Sequence, residues 1–263
     1  MHFFLLGSLE VKSAEKRILI TAPKQRAVLA ALLLSANNEV PIDQLIRFVW
    51  DGMSPATAQA TLQSYIYRLR QLLRPLPDVG LKTNIDSYML SVSHGDTDLW
   101  YFREQVTEAR QQAELGNLST SVASLRRGLE VWRGNSLSGI TGEAIRQEAR
   151  VLDGERIAAY EELFRTEILL GNTRQIIPEL HKAVSVYPFH EVFRAQLMLA
   201  LYAAGRQAEA LQNYALIRRR LRDKLGIEPG QELQELHRSI LEQIPASKIG
   251  LVTWLPPARA TAS

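Results

Sequence analysis

The stretch SPATAQATLQSYIYRLRQLL, residues 54–73, decides the fold of the first third of the chain. Ser54 is a favourable N-cap, and Pro55 fits the first position of a helix because that position needs no backbone N–H donor. The next helix breaker along the chain is Pro75. We therefore predict a helix over residues 55–74.

The two faces of this predicted helix carry different kinds of side chain. At about 100° per residue, the apolar stripe that should pack into a core consists of Leu62, Ile66, Leu69 and Leu73. The opposite stripe consists of Thr57, Ala60, Thr61, Ser64, Tyr67, Arg68 and Gln71, with Arg70 and Arg74 at its flanks. Apart from Ala60, these residues are candidates for DNA contact. Short side chains let a helix approach base edges in the major groove, and arginines reach guanine or phosphate oxygens. A solvated surface helix carries the same residue types, so this face alone leaves both interpretations open.

The elements around this helix place it in a recognisable layout. Short strands are predicted over residues 2–12, with a break at Gly7, and over 17–21. Helices are predicted over 24–35 and 41–50, and hairpin strands over 79–83 and 88–92. Strands, three helices and a two-stranded ribbon, in that order, are the layout of a winged helix-turn-helix, whose ribbon can lie along the neighbouring minor groove. Further phosphate contacts are expected from the first helix and the hairpin, although each residue is equally well a solvated surface charge: Lys24, Arg26 and Lys82.

The basic excess of the chain lies in its first third. The net charge is +3, and residues 1–93 hold 10 Lys and Arg against 7 Asp and Glu, which accounts for all of it. Such a charge asymmetry is expected where one domain binds a polyanion. The length of 263 residues and the hydrophobic fraction of 46% indicate a globular chain with two domains. We expect a winged helix-turn-helix DNA-binding domain over residues 1–93.

Beyond residue 92 the pattern is helical almost throughout and contains a repeat. Gly171 and Gly205 lie 34 residues apart, each between two apolar helices, and Gly116 fits the same frame more loosely. This period is that of tetratricopeptide repeats, whose stacked helix pairs bind protein partners. We expect a tetratricopeptide-like helical repeat domain over residues 94–245 and a mobile tail over 246–263. The expected core positions are Leu163, Phe164, Leu169 and Leu180, with Trp100 and Trp132 as packing anchors. The predicted fold class is mainly α with a small β part.

The sequence supports no catalytic or metal site. It has no cysteine, its five histidines form no HExxH pair, and it has neither a GxxxxGK[ST] phosphate loop nor a GxSxG elbow. We therefore expect no enzyme activity, no metal and no cofactor. The longest purely apolar run, residues 27–34, is too short to span a bilayer, and no secretory leader precedes it. A cytoplasmic protein without a membrane partner is expected.

Several blocks of the sequence resemble one family of bacterial regulators. Four are similar to the OmpR-type winged-helix domain of the SARP family of antibiotic-pathway activators: residues 3–11, 24–35, 40–50 and 54–73. Three are similar to the bacterial transcriptional activation domain of that family: DTDLWYF at 96–102, WRGNSL at 132–137 and LRDKLGIEPGQELQELHRSIL at 221–241. Ser87-Tyr88 departs from the Gly-Tyr of many family hairpins. Larger members also carry ATPase and sensor domains, so the resemblance is to a small member or to part of a large one.

The resemblance implies a sequence-specific transcriptional activator. It would bind direct repeats in double-stranded DNA near a promoter, as a dimer, and contact RNA polymerase and its sigma factor. The implied recognition helix spans 55–74, with Thr57, Thr61, Ser64 and Arg68 near base edges or phosphates. Arg70, Arg74 and the hairpin around Asn84 to Ser87 would contact the DNA backbone. Two alternatives remain open: a winged-helix repressor or small-molecule sensor, and a protein-binding adaptor whose winged helix is only structural.

Overall fold

A computed structural model describes residues 2–13, 16–76 and 78–249. These residues form ten α-helices and six short strands, which confirms the predicted mainly α fold with a small β part. The chain divides into two compact units, one made of Met1–Glu114 and Ala123–Ala159 and the other of Leu115–Val122 and Tyr160–Ser263. The predicted domain boundary at residue 93 therefore lies inside the first unit.

The strands all belong to the first unit. They are β1 (Phe3–Phe4), β2 (Glu10–Lys12), β3 (Arg17–Ile18), β4 (Val40–Pro41), β5 (Gly80–Thr83) and β6 (Ser87–Ser91). They form two antiparallel sheets, in the orders β1-β2-β3 and β4-β6-β5. The sequence pattern does not predict β4, because a strand of two residues shows no alternation. In the structure Val40 pairs with Tyr88 and Pro41 pairs with Ser87.

Three helices complete the winged-helix part of this unit: α1 (Pro23–Leu34), α2 (Ile42–Trp50) and α3 (Ala58–Leu73). Helix α1 packs on both α2 and α3 and is buried continuously over residues 27–33. The apolar stripe of α3 is buried as expected, and it consists of Leu62, Ile66, Leu69 and Leu73. Burial of each such side chain contributes roughly 1.5–3 kcal/mol, which fixes the face that α3 leaves exposed.

Helix α3 begins three residues later than the sequence pattern predicts. The N–H of Ala58 donates to the carbonyl of Pro55, so Pro55 opens a tight turn ahead of the helix. Thr57 is the N-cap residue, with φ of −91° and ψ of 7°. The helix ends at Leu73 with Arg74 as its C-cap, so the prediction of residues 55–74 was too long at both ends.

Seven further helices follow. They are α4 (Asp98–Glu114), α5 (Leu118–Glu130), α6 (Glu143–Leu169), α7 (Thr173–Val186), α8 (Glu191–Ala203), α9 (Gln207–Leu225) and α10 (Gln231–Leu241). Gly116, Gly171 and Gly205 each lie in the turn between two of them, and each has a φ of 80°. This left-handed conformation favours glycine over other residues. The same turn therefore recurs in three helix pairs, as the repeat pattern predicts.

The core of the second unit follows the prediction with one exception. Leu163, Phe164 and Leu180 are buried, but Leu169 is 47% exposed. The prediction for Leu169 was wrong because Ile168, its neighbour in the last turn of α6, takes the inward position. Of the predicted tail, Ala246–Lys248 form a 3-10 helix. The tail from residue 250 onward lies outside the described residues.

Candidate nucleic-acid interface

The face of α3 opposite its buried stripe is open to solvent. Ser64, Tyr67, Arg68 and Gln71 are exposed and Thr61 is half-buried. The N-cap residue Thr57 and the C-cap residue Arg74 are also exposed, one at each end of the helix. The structure therefore brings most of the predicted recognition residues onto one continuous strip. We call these seven residues the recognition strip.

Two hydroxyl groups in the recognition strip bond to the helix itself. Thr61 Oγ1 donates to the carbonyl of Thr57 at 2.9 Å, and Ser64 Oγ donates to the carbonyl of Ala60 at 3.1 Å. Such bonds to the carbonyl four residues back are available to Ser and Thr in helices. These bonds hold both side chains close to the helix axis. The backbone of α3 can therefore come near the base edges in a major groove.

Arg70 differs from the other arginines of α3 because the hairpin engages it. Its Nε donates to the carbonyl of Leu81 at 2.9 Å, and its Nη2 donates to the Oγ1 of Thr83. Both acceptors lie in β5, so a residue predicted to contact phosphate holds the hairpin against the recognition helix. Arg68 and Arg74 remain exposed on either side of it.

The hairpin, or wing, exposes residues 82–86 and buries Ser87, which was predicted to contact DNA. Lys82, Asn84 and Ile85 are exposed, and Ile85 at the tip is fully so. Ser87 is only 3% exposed, and its Oγ donates to Glu39 Oε2 at 2.7 Å. Ser87 lies in β6 rather than in the turn, so it is not part of the presented surface.

Two cations of α1 were predicted to contact phosphate, and the structure gives each a protein partner. Lys24 Nζ lies 4.7 Å from the centre of the Trp50 ring, a cation–π arrangement that leaves the ammonium exposed. Arg26 donates to the carbonyls of Gly139 and Leu9. The guanidinium of Arg26 therefore links α1 to the segment before α6.

A buried carboxylate that the sequence analysis missed stabilises the N-terminal strands. Asp98 is fully buried and accepts the N–H groups of Leu5 at 2.7 Å and Leu6 at 3.0 Å, with Arg133 Nη2 at 3.4 Å. Burial raises the pKa of Asp98, and the hydrogen bonds from Leu5, Leu6 and Arg133 oppose that rise. The only sequence signal was its place in the block DTDLWYF.

Among the described residues, no cluster of three or more His, Cys, Asp or Glu could hold a metal ion. In the same part of the chain, no helix has the length and apolar character needed to cross a membrane. A winged helix with an open recognition strip, followed by helical repeats, defines the class: a DNA-binding transcriptional regulator.

Known proteins agree with this class. Residues 97–241 match the family described as bacterial transcriptional activator domain, and residues 15–84 match transcriptional regulatory protein, C terminal. The chain is 32% identical to the regulatory protein DnrI of Streptomyces peucetius, with 93% of each chain covered. It is 30% identical to the transcriptional regulator RedD of Streptomyces coelicolor, covering 96% of this chain and 74% of RedD.

A solved structure agrees as well. Mycobacterium tuberculosis EmbR, in complex with a low-affinity phosphopeptide, matches with a TM-score of 0.88 and 32% identity, covering 96% of this chain and 68% of EmbR. The chain therefore belongs to the SARP family of transcriptional activators, as the sequence resemblance predicted. It is a DNA-binding activator of transcription and not an enzyme. This favours the activator over the repressor, sensor and adaptor alternatives.

Proposed function

We propose that the protein activates an antibiotic biosynthesis gene cluster in the cytoplasm by binding direct repeats near a promoter and recruiting RNA polymerase. One subunit occupies each repeat, and two subunits form a dimer on the DNA. The observation that carries this proposal is the recognition strip, which is exposed on a helix whose other face is buried. Residues 1–93 supply the DNA contacts, and residues 94–245 supply the contacts with polymerase and its sigma factor.

The recognition strip divides by chemistry. Thr61, Ser64 and Arg68 lie in the middle of α3 and contact base edges. Phosphates are contacted by the other residues of the recognition strip, by α1 and by the wing, and the residues are Thr57, Tyr67, Gln71, Arg74, Lys24, Lys82 and Asn84. Each exposed cation in this set releases counterions from the duplex when it binds a phosphate.

Footprinting of the full chain on the genome tests the DNA part of the proposal. We expect protected sites to contain direct repeats upstream of promoters, with one subunit on each repeat. If each subunit neutralises roughly four to six phosphates, log K falls against log salt with a slope of about −0.9 per phosphate, and two subunits double it. Protected sites without a repeat would contradict the proposal.

Transcription in vitro tests the recruitment part. Purified bacterial RNA polymerase with its sigma factor is given a template that carries the protected repeats, with a template of scrambled repeats as the control. We expect the protein to increase the transcript from the first template only. A decrease, or full occupancy without any increase, would show that binding does not lead to recruitment.

A further inference from the structure

Asp51 lies at the turn between α2 and α3 in a backbone conformation that most residues avoid. It is the C-cap of α2, with φ of 50° and ψ of 37°, which is the left-handed region. Asp tolerates this region better than most residues because its short side chain can form local hydrogen bonds. Gly52 follows it with φ of 80°. The position of the Asp51 side chain is therefore set by the backbone of the turn that precedes the recognition helix.

The carboxylate of Asp51 bonds to a helix that begins 92 residues later. Its Oδ1 accepts the N–H of Glu143 at 2.8 Å and that of Ala144 at 3.4 Å. These are the first N–H groups of α6, which have no partner within their own helix. A carboxylate at this end also interacts favourably with the positive end of the helix dipole. Asp51 therefore acts as the N-terminal cap of α6.

Gly142 precedes this contact in a backbone conformation that favours glycine. The φ of Gly142 is 141°, and a Cβ atom at this position would lie 3.4 Å from Asp51 Oδ1. Another residue would therefore meet an unfavourable backbone conformation, although its Cβ would lie at an ordinary van der Waals distance from Asp51. Glycine immediately before Glu143 therefore fits the contact between α6 and the turn.

The segment before α6 is held on its other side by the N-terminal strand region. The N–H groups of Arg133, Leu137 and Ser138 donate to three successive carbonyls, at 2.8, 3.0 and 3.1 Å. The acceptors are Leu6, Leu5 and Gly7, respectively. Two sets of hydrogen bonds thus connect the start of α6 and the segment before it to the N-terminal domain. One is the set of backbone bonds to residues 5–7, and the other is the cap by Asp51.

We propose that Asp51 is a positioning residue that couples DNA reading to activation. Helix α6 runs without a break over Glu143–Leu169, and the division between the two compact units falls within it, after Ala159. A cap at its first turn ties this helix to the turn preceding α3. The inference rests on the proposed function, because it assigns Asp51 to the step between occupancy of the repeats and the rise in transcript.

The test uses full-length Asp51→Gly, Asp51→Asn and wild-type protein on a template whose repeats the wild type protects. Glycine keeps the left-handed backbone and removes the carboxylate, whereas asparagine keeps an acceptor oxygen and removes only the charge. We expect Asp51→Gly to bind the repeats within about twofold of wild type, since no recognition residue changes, but to lose at least about fivefold of the transcript at equal occupancy. Asp51→Asn should retain most of it.

Hydrogen exchange provides a readout that does not depend on transcription. In Asp51→Gly the amides of residues 143–146 should exchange about fivefold faster, with no change in α3. Asp43→Asn is the control, because it removes an exposed carboxylate from the far end of α2 and leaves the cap in place.

The outcomes separate this inference from the proposed function. A wild-type protein that binds but does not activate would refute the proposed function, while the exchange measurement would still test the cap. The role of Asp51 would be overturned if Asp51→Gly activated transcription as well as wild type at equal occupancy. It would also be overturned if amide exchange at residues 143–146 were unchanged in that variant. Loss of DNA binding in Asp51→Gly with normal folding would also overturn it, because Asp51 would then act in reading rather than in coupling.

Discussion

Arg68 is the exposed guanidinium nearest the middle of the recognition strip, one turn after Ser64. Arg68→Ala is expected to weaken binding to the cognate repeat by about 1–3 kcal/mol. Dissociation constants on the repeat and on each single base-pair variant would measure this. Relaxed preference at one position identifies a base contact, and equal loss on all duplexes identifies a phosphate contact. Arg238→Ala, an exposed arginine of α10, is the control, and an unchanged constant for Arg68→Ala would contradict the assignment.

Asp98 is the buried acceptor on which the N-terminal strand region depends. Asp98→Ala leaves the N–H groups of Leu5 and Leu6 and the guanidinium of Arg133 without this partner. We expect a loss of about 2–6 kcal/mol in the free energy of unfolding, because the two buried N–H groups are left unsatisfied at about 1–3 kcal/mol each, whereas Arg133 is partly exposed and keeps Glu10 as a partner. Urea denaturation of the full chain measures it.

Asp98→Asn is the matched variant for this prediction. It keeps one acceptor oxygen and should lose less stability than Asp98→Ala. Asp43→Ala removes an exposed carboxylate from the first turn of α2 and should change the free energy of unfolding by no more than about 1 kcal/mol. Equal stability of Asp98→Ala and wild type would show that the two N–H groups find other acceptors.

At the scale of elements, Arg70 joins the recognition helix to the wing through Leu81 and Thr83. Arg70→Ala should speed amide exchange in β5 by about fivefold and weaken DNA binding by about 0.5–1.5 kcal/mol, because the wing is no longer held in place. Thr83→Val should produce part of the same change without removing a charge. Arg74→Ala is the control, and it should weaken binding without altering exchange in β5. No change in β5 exchange for Arg70→Ala would contradict a positioning role.

The contact of α9 with α10 contains a titratable ring. His237 stacks on Tyr214 with ring centres 3.8 Å apart, and burial, followed by the charge of Arg218, lowers the pKa of His237. A lowered pKa in the folded state means that the unfolded state binds the proton more readily. The stability from this group is therefore present above about pH 6.5, the pKa of an unperturbed histidine, and is lost as the pH falls through the folded-state value.

His237→Phe keeps an aromatic ring in the stack and cannot be protonated. We expect the wild type to lose more stability between pH 7.5 and pH 5.5 than this variant, as measured by thermal unfolding. Tyr214→Phe, which keeps both rings and the histidine, should retain the pH dependence of the wild type. Equal pH dependence in wild type and His237→Phe would contradict the assignment.

Sequence patterns predicted the features that depend on residues close together in the chain, such as the faces of a helix and the turns between helices. The buried and exposed faces of α3 follow from the helical period, and the turns at Gly171 and Gly205 follow from a repeated residue type. The start of α3 was misplaced, because Pro55 suits a turn before a helix as well as a first helical position. The burial of Ser87 was missed, because it depends on pairing with β4, which has no pattern of its own.

The contacts that span long separations could not be predicted. Asp98 bonds to residues 92 and 93 positions away, and Asp51 bonds to residues 92 and 93 positions away in the opposite direction. A periodic pattern describes one element and contains no information on its distant partner. These contacts also explain why the predicted boundary at residue 93 lies inside a compact unit.

For the whole molecule, the first compact unit ends at Ala159, and this boundary predicts which N-terminal fragment folds on its own. Residues 1–93 lack Asp98 and the backbone donors Arg133, Leu137 and Ser138, so we expect this fragment to show no cooperative unfolding transition and to bind the repeats weakly. Residues 1–159 contain these partners and should unfold cooperatively and bind one repeat. Circular dichroism melting and gel shift measure the two properties. Equal binding by both fragments would show that the added contacts do not support the winged helix.

The base sequence of the DNA repeat should also depend on the hydrogen bonds that the hydroxyl groups of α3 already make within the helix. Because the hydroxyls of Thr61 and Ser64 donate their protons to carbonyls of the helix, each hydroxyl has only oxygen lone pairs left to offer to a base. Adenine N6 and cytosine N4 are the amino donors of the major groove, whereas guanine and thymine offer acceptors there. Each repeat is therefore expected to place A or C opposite the two hydroxyls and, where Arg68 reaches a base, G one step further along.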